Sequence, residues 1–326
     1  MTVQQLAISL KGKSVLVPAV NVNGATVIVS GKFPRMASVA DENWVGSPVS
    51  QNATQFVDAV AGSALPADVL TFAQEIDEPN PLHPYYFESD NAAAIDTRNF
   101  KAWWDKLPQA TRKNCRRSER RGARTEVVSL DEALACGIKG VYDESPIRQG
   151  RRFWHYGKDV ATIIRDNSSY LDRCDFLATH LNGELIGFMK IVYVGRFAKI
   201  MQIVAKTSHN DARPMNALIA KAVERCCERG MSHLVYSKFQ YGNNATSSMI
   251  EFKIRNGFER LEYPRYFVPL TMQGKLALAC GLHRGMHGML PAPLIAELLR
   301  LRESANRVFR RNDASSSSSE TRDSEP

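Results

Sequence analysis

Long apolar runs are missing from this 326-residue chain. No eighteen consecutive apolar residues occur, so the bilayer-spanning helix that such a run would signal has no candidate. Residues 1–17 place Lys11 and Lys13 after the apolar stretch with no small-residue cleavage site behind them, so no secretory signal is read and a cytoplasmic location is expected. Paired cysteines are missing too. The six (115, 136, 174, 226, 227, 280) contain no C-x-x-C, and Cys226 and Cys227 are helix neighbours that point in different directions, which fits reduced thiols. No zinc-finger spacing occurs, and no metal is expected. No internal repeat is visible. What remains, 44% hydrophobic and 23% charged residues, is the composition of a globular chain of one large or two small domains, and it excludes collagen-like, coiled-coil and wholly disordered classes.

Acidic charge is scarce in the later part. Residues 1–100 hold 5 Lys+Arg against 10 Asp+Glu, and the rest 37 against 24. Nine basic residues fall in 101–124 alone (Lys101, Lys106, Arg112, Lys113, Arg116, Arg117, Arg120, Arg121, Arg124) against Asp105 and Glu119. This concentration points to a polyanionic or phosphate-bearing partner. Arg112, Arg116 and Arg120 recur every fourth residue on one helical stripe, with Lys113, Arg117 and Arg121 on the next. Like charges so stacked weaken a helix, and a bound polyanion would relieve the repulsion. A solvated basic face with counter-ions satisfies the same pattern.

The residue pattern predicts strands over 13–20 and 25–30 around the hairpin signal Asn23-Gly24, with Pro18 making the first an edge strand. Short helices are predicted over 54–61 and 67–75, then a proline-rich connector over 77–84 and a strand over 86–94. From Thr97, read as a cap, two helices follow: one with Phe100, Trp103 and Trp104, then the basic one ending at Gly122. A strand over 124–128, a helix opened by the capping box Ser129-x-x-Glu132, a dense loop over 144–158 and a helix over 159–170 come next. A meander is predicted over 176–181, 184–194 and 197–205, with the turn Asn182-Gly183. It is followed by a helix over 214–228, a strand over 233–239, a helix over 244–255 and a strand over 260–270. Crossover helices after a meander imply an α/β fold whose mixed sheet is antiparallel first and parallel later. The expected organisation is a small α/β unit (1–96), a core (97–271), a helical extension (272–311) and a serine-rich tail (312–326) too polar to order itself. The basic amphipathic stretch over 292–311 either packs back on the core or lies on a membrane surface as a peripheral contact.

Two local patterns carry a family resemblance. One is Asn244 followed by Phe252-x-x-Arg255-x-Gly257-Phe258 and a strand with Tyr263 and Tyr266. The other is Thr111-Arg112-x-Asn114-x-Arg116-Arg117-x-x-x-Arg121-Gly122. Together with the element order, they make residues 97–270 resemble the GNAT superfamily of N-acetyltransferases, most closely its Fem-type branch of aminoacyl transferases. The resemblance implies a GNAT-type mixed sheet flanked by helices, with residues 1–96 a shortened first copy of the fold. It also implies an activated donor, acyl-CoA or aminoacyl-tRNA. Two positions depart from the acetyl-CoA-dependent pattern. Arg213 and Met215 stand where glycines would cradle a pyrophosphate, and Lys253 stands where a tyrosine acid is common. A lysine there is closer to the Fem-type pattern, which places it near the donor.

Within the resemblance, the connector Glu144-Ser-Pro-Ile-Arg148-Gln-Gly-Arg151-Arg152-Phe-Trp154-His155-Tyr156-Gly-Lys158 borders the acceptor site. There Arg148, Arg151, Arg152 and Lys158 would hold phosphate or carboxylate, and Trp154 and Tyr156 would stack on a sugar or base. The same residues make an ordinary loop if the aromatics tuck inward and the arginines are solvated. Acyl transfer needs a deprotonated amine, an oxyanion donor and a proton for the leaving group. Glu144 or His155 are the candidates for the first, backbone N–H groups over 197–205 for the second, and Lys253 or Tyr241 for the third. Asn243 and Asn244 follow a strand at its carboxyl end, where α/β sheets bind ligands, although Asn244 also reads as a helix cap. Arg213 joins Arg112, Lys113, Arg116, Arg117, Arg120 and Arg121 as a candidate for the polyanionic donor, and a charged tRNA, a pyrophosphate-linked lipid or an anionic membrane would each suit such a surface. The expected function is transfer of an acyl or aminoacyl group to an amine, the resemblance adding a phosphate-linked cell-envelope precursor as the acceptor class. The rivals are an acetyl-CoA-dependent N-acetyltransferase and a non-catalytic RNA- or polyanion-binding module on the same fold.

Overall fold

The computed structural model describes residues 2–10, 13–46, 52–148, 150–241 and 248–284. The first hundred residues supply β1 (Gln4–Leu10), β2 (Lys13–Val22), β3 (Ala25–Ser30), β4 (Met36–Val39), β5 (Val69–Ala73) and β6 (Phe87–Asp96), with α1 (Glu42–Val45) and α2 (Ala53–Ala61) between β4 and β5. Next come α3 (Phe100–Lys106), α4 (Gln109–Arg120), β7 (Arg124–Val128), α5 (Glu132–Tyr142), the two-residue strands β8 (Ile147–Arg148) and β9 (Arg151–Arg152), and α6 (Val160–Asn167). The meander is β10 (Cys174–Leu181), β11 (Glu184–Val194) and β12 (Phe197–Ala205). It leads into α7 (Pro214–Glu228), β13 (His233–Val235), α8 (Ser248–Arg255), β14 (Glu259–Pro269) and α9 (Met272–Ala279).

Apart from the β8–β9 pair, the strands form one sheet in the order β1-β2-β3-β4-β5-β14-β6-β13-β12-β11-β10-β7. The β2–β3 and β10–β11 hairpins fold as their turns dictate: Asn23-Gly24 and Asn182-Gly183 both take positive φ at both positions, the conformation that matches strand twist. On one face α7 packs Leu218, Ile219, Ala222, Val223 and Cys226 onto Met189, Ile191, Ala198 and Ile200. On the other, α5 and α6 set Leu134, Ile138 and Ile163 against Phe176, Ala178 and Phe188. α2 closes a separate core over β2–β5 with Phe56, Val57 and Val60.

Several expectations are corrected. Pro18 is not on an edge strand: β2 lies between β1 and β3, with Pro18 opposite Gln5. The helix expected over 67–75 is the strand β5, parallel to β4 and antiparallel to β14. Val69, Leu70 and Phe72 in it are buried, so it lacks the alternation that marks a half-exposed strand. The caps shift as well. Asn99, not Thr97, accepts from Ala102 N at the start of α3, and Asp131, not Ser129, accepts from Leu134 N at the start of α5. Thr97 instead donates its hydroxyl to Met231 O. The expected boundary after residue 96 falls at the end of a strand that the sheet shares: β6 runs antiparallel to both β13 and β14. The basic stretch over 292–311 and the serine-rich tail lie outside the described residues.

Candidate active site at the parting of two parallel strands

β12 and β13 are parallel and pair over three positions, Phe197 with His233, Ala198 with Leu234 and Lys199 with Val235. Beyond Lys199 they separate. The chain after β13 turns along β6, with Tyr236 N donating to Ala93 O and Ala93 N to Ser237 O. Ser237 sits at φ 54, a left-handed conformation that costs a serine free energy and that the surrounding bonds must hold. β12 continues to Ala205 paired with β11 alone. Its edge over 200–205 therefore offers backbone N–H and C=O groups to a gap in the sheet, the kind of donor array that can meet a developing oxyanion.

The loop from β12 to α7 is tied down by Glu144. Its carboxylate accepts from Thr207 N (2.8 Å) and Oγ1 (3.0 Å) and from Ser208 N (2.8 Å) and Oγ (2.7 Å). Arg148 donates to it at 3.2 Å and also to Ala205 O and Val141 O. Burial opposes ionisation of Glu144, but these donors outweigh it and lower its pKa to about 2. So ionised and so enclosed, Glu144 serves as an internal anion for the loop, and its basicity is poor for taking a proton from an amine. Pro214 at the first position of α7 has no N–H, and Asn216 N and Ala217 N bond back to Arg213 O. Few backbone donors are thus left for a pyrophosphate, and the two loop N–H groups of Thr207 and Ser208 are already taken.

Positive charge gathers at this same end of the gap. Arg213, at φ 55, caps the start of α7, and its buried Nε has no hydrogen-bond partner among the described residues. α4 packs across α7 with Thr111, Cys115 and Ser118 inward, Thr111 bonding Arg255 O and Cys115 facing Asn216 O. Its remaining surface is basic. Arg121 pairs with Asp211 at 2.7 Å in the loop before α7. Arg116 lies 5.9 Å over Trp104. Among the described residues no carboxylate pairs with Arg112, Lys113, Arg116, Arg117 or Arg120.

On the β13 side, Lys253 is buried at 1% exposure. Its ammonium donates to Lys238 O and, at 3.5 Å, to Phe239 O, and it stands 5.3 and 5.4 Å from the Tyr236 and Tyr241 rings. Burial pushes its pKa down. Tyr241 is exposed and hydrogen-bonds Ser237. From Lys238 a ladder of ion pairs crosses the sheet: Lys238 to Asp90 (2.8 Å), Asp90 to Arg265 (2.9 Å), Arg265 to Glu42 (3.0 Å). Glu42 lines a cavity of about 430 Å³ bounded by α1, the β2–β3 turn, the residues after β5, the β11–β12 turn and Lys199.

The dense connector divides. His155 is buried, stacked on Tyr142 at 4.4 Å, accepts from the Gln202 amide at 3.1 Å and lies 3.5 Å from Lys158 Nζ. Burial first, then the Lys158 charge, lowers its pKa to about 4, so it is neutral at pH 7. Lys158 is paired with Asp166 and lies 3.9 Å over Trp154. Trp154, Tyr156, Arg151 and Arg152 are exposed. Glu144, Arg148, His155 and Lys158 thus come together at the α5 end of β12, whereas Lys253 and Tyr241 come together behind the end of β13. No hydrogen bond or ion pair among the described residues joins the two groups. Asn243 and Asn244 lie outside the described residues. Lys199, where the strands part, had no local signal beyond a charge within an apolar strand.

Residues 109–253 match the family model for the acetyltransferase (GNAT) domain. The chain contains a GNAT domain. Among solved structures, FemX shares the fold at TM-score 0.55 and 10% identity, over 85% of this chain and 90% of that one. A conserved protein of unknown function from Bacteroides thetaiotaomicron does so at 0.51 and 10%, over 78% and 86%. L-PGS from Bacillus licheniformis aligns at 0.48 and 15%, over 78% and 84%. No curated protein matches the chain in sequence. The mixed sheet flanked by helices is thus that of GNAT acyltransferases, a fold that implies an acyl donor and an amine acceptor. No group of three potential metal-ligating side chains occurs among the described residues, and no described helix is long and apolar enough to cross a membrane. The one H-x-x-x-H in the chain, His283 and His287, begins with a histidine already bonded to Glu88 at 2.8 Å, and His287 lies outside the described residues.

Proposed function

We propose that the protein transfers an acyl or aminoacyl group, carried on a polyanionic donor, to an amine. The observation that carries the reading is the parting of β12 and β13 after Lys199, with the free edge of β12 on one side, Arg213 at the start of α7, and α4, packed on α7, carrying basic residues on its outer face. In this reading the donor's phosphates rest on Lys113, Arg116, Arg120 and Arg213, and its carbonyl lies along residues 200–205, whose N–H groups stabilise the oxyanion. Lys253, with Tyr241 beside it, meets the charge that develops on the departing oxygen or sulfur. Of the two candidates for taking the amine's proton, His155 is the stronger base, provided the amine displaces the Gln202 amide from its Nε2.

The Glu144 carboxylate seated on Thr207 and Ser208 favours a donor other than CoA, because the loop before α7 spends its N–H groups internally. An aminoacyl-tRNA fits the breadth of the basic face better than a single pyrophosphate does. A cytoplasmic setting follows from such donors, and the Fem resemblance supports a phosphate-linked envelope precursor as acceptor. The test is to incubate the full chain with an aminoacyl-tRNA or acetyl-CoA and a panel of amines, following product by mass spectrometry and donor binding at several salt concentrations. Product from the aminoacyl-tRNA supports the reading. Product from acetyl-CoA alone selects the N-acetyltransferase, and salt-dependent RNA binding without product from either donor selects the non-catalytic module.

A further inference from the structure

We propose that the cavity beside Lys199 binds the anionic group, carboxylate or phosphate, of the acceptor amine, with the Lys199 ammonium and the Arg173 guanidinium as its ligands; this rests on the acyl-transfer reading and names the acceptor's chemistry. The cavity holds about 430 Å³, room for a small organic acid or the end of a longer molecule. Its charged walls are Glu42, Glu75, Arg173 and Lys199. Both acids bring their own cations. Glu42 accepts from Ala73 N through one oxygen and pairs with Arg265 through the other, and Glu75 pairs with Arg196 at 2.8 Å.

Neither cation is in an ion pair among the described residues. Arg173 donates to Trp44 O at 2.8 Å and stands 5.1 Å over the Tyr170 ring, with no carboxylate in reach among the described residues. Lys199 has neither a hydrogen bond nor an ion pair among them. Its burial pushes the pKa down, and Glu42 and Glu75 offset this only from a distance. Lys199 is half-buried, and a bound anion would give its ammonium charge-assisted hydrogen bonds that the described residues do not. Ile76, Val194 and Phe197 line the same space and give the carbon portion of such a ligand an apolar wall. Position completes the case. Lys199 forms the last β12–β13 pair, opposite Val235, so an anion held on it places the adjoining amine where the strands begin to separate, next to the proposed carbonyl.

Ligand-observed NMR on the full chain with three probes tests this: glycylglycine (amine and carboxylate), O-phosphoethanolamine (amine and phosphate) and ethanolamine (amine alone). Saturable binding of glycylglycine or phosphoethanolamine at least about tenfold tighter than ethanolamine is expected. It should weaken about tenfold or more in Lys199→Met, as loss of a charge-assisted bond implies, and largely return in Lys199→Arg. Arg173→Met repeats the test should Lys199→Met fail to fold. The better of the two anionic probes tells carboxylate from phosphate. Equal binding of all three probes, or anion binding unchanged in both methionine variants, overturns the proposal. Anion binding without transfer from any donor would sink the acyl-transfer reading and keep the site, whereas transfer to amines by a protein that binds neither anionic probe would do the reverse.

Discussion

Glu144 shows how far a side chain's role depends on partners that its own segment cannot reveal. Its neighbours in sequence make it one charge in a crowded loop, but four of its five donors come from Thr207 and Ser208, more than sixty residues away. Its pKa is lowered from 4.5 to about 2, so its contribution to stability is complete above about pH 4.5 and is lost as the pH falls through about 2. Glu144→Gln should cost about 2 kcal/mol at pH 7. Urea unfolding of both proteins from pH 7 to pH 2 should find the difference shrinking below pH 4.5, and a pH-independent gap would mean that the charge is not what matters. Lys253, legible as a site residue only through the Fem resemblance, makes a separate prediction. Lys253→Met should lower the transfer rate about a hundredfold or more while donor affinity stays within twofold, as single-turnover kinetics would register.

At the level of elements, legibility followed how much of the folding signal was local. The meander strands 184–194 and 197–205 and the helix 214–228 match β11, β12 and α7 to the residue, because an Asn-Gly turn, runs of β-branched and aromatic residues and a proline at the first helical position are all short-range. β5 misled because both of its faces are covered, Leu70 and Phe72 by the core that α2 closes and Val69 by Gly274 of α9, so no alternation marks it. The junction of α8 and β14 combines both kinds of signal. Gly257 sits at φ +81, and a Cβ on it would lie 2.7 Å from Trp103 Nε1 and 3.0 Å from Leu107, while Trp103 Nε1 bonds Asn256 O. Gly257→Ala should therefore destabilise by about 2 kcal/mol or more, through backbone strain and overpacking together, a loss that denaturant titration would measure.

Across the whole molecule, β6 joins the N-terminal unit to the GNAT sheet, and this insertion between β13 and β14 left no trace in the local pattern. The uneven charge did, and the fold puts Arg121 and Arg213 at the start of α7 and the rest on the outer face of α4. If donor phosphates rest there, replacing Lys113, Arg116 and Arg120 with alanine should lower the slope of log binding constant against log salt by about one per removed cation, with little change in melting temperature because all three are exposed. An unchanged slope would move the donor elsewhere. The central claim is that the donor's acyl carbonyl lies along the edge that β12 leaves free. Amide hydrogen exchange of the full chain, with and without saturating aminoacyl-tRNA, reads that edge directly. Protection of residues 200–205 and of 236–241 on donor binding is the predicted result. Binding that protects α4 and leaves both segments exchanging as before would contradict it.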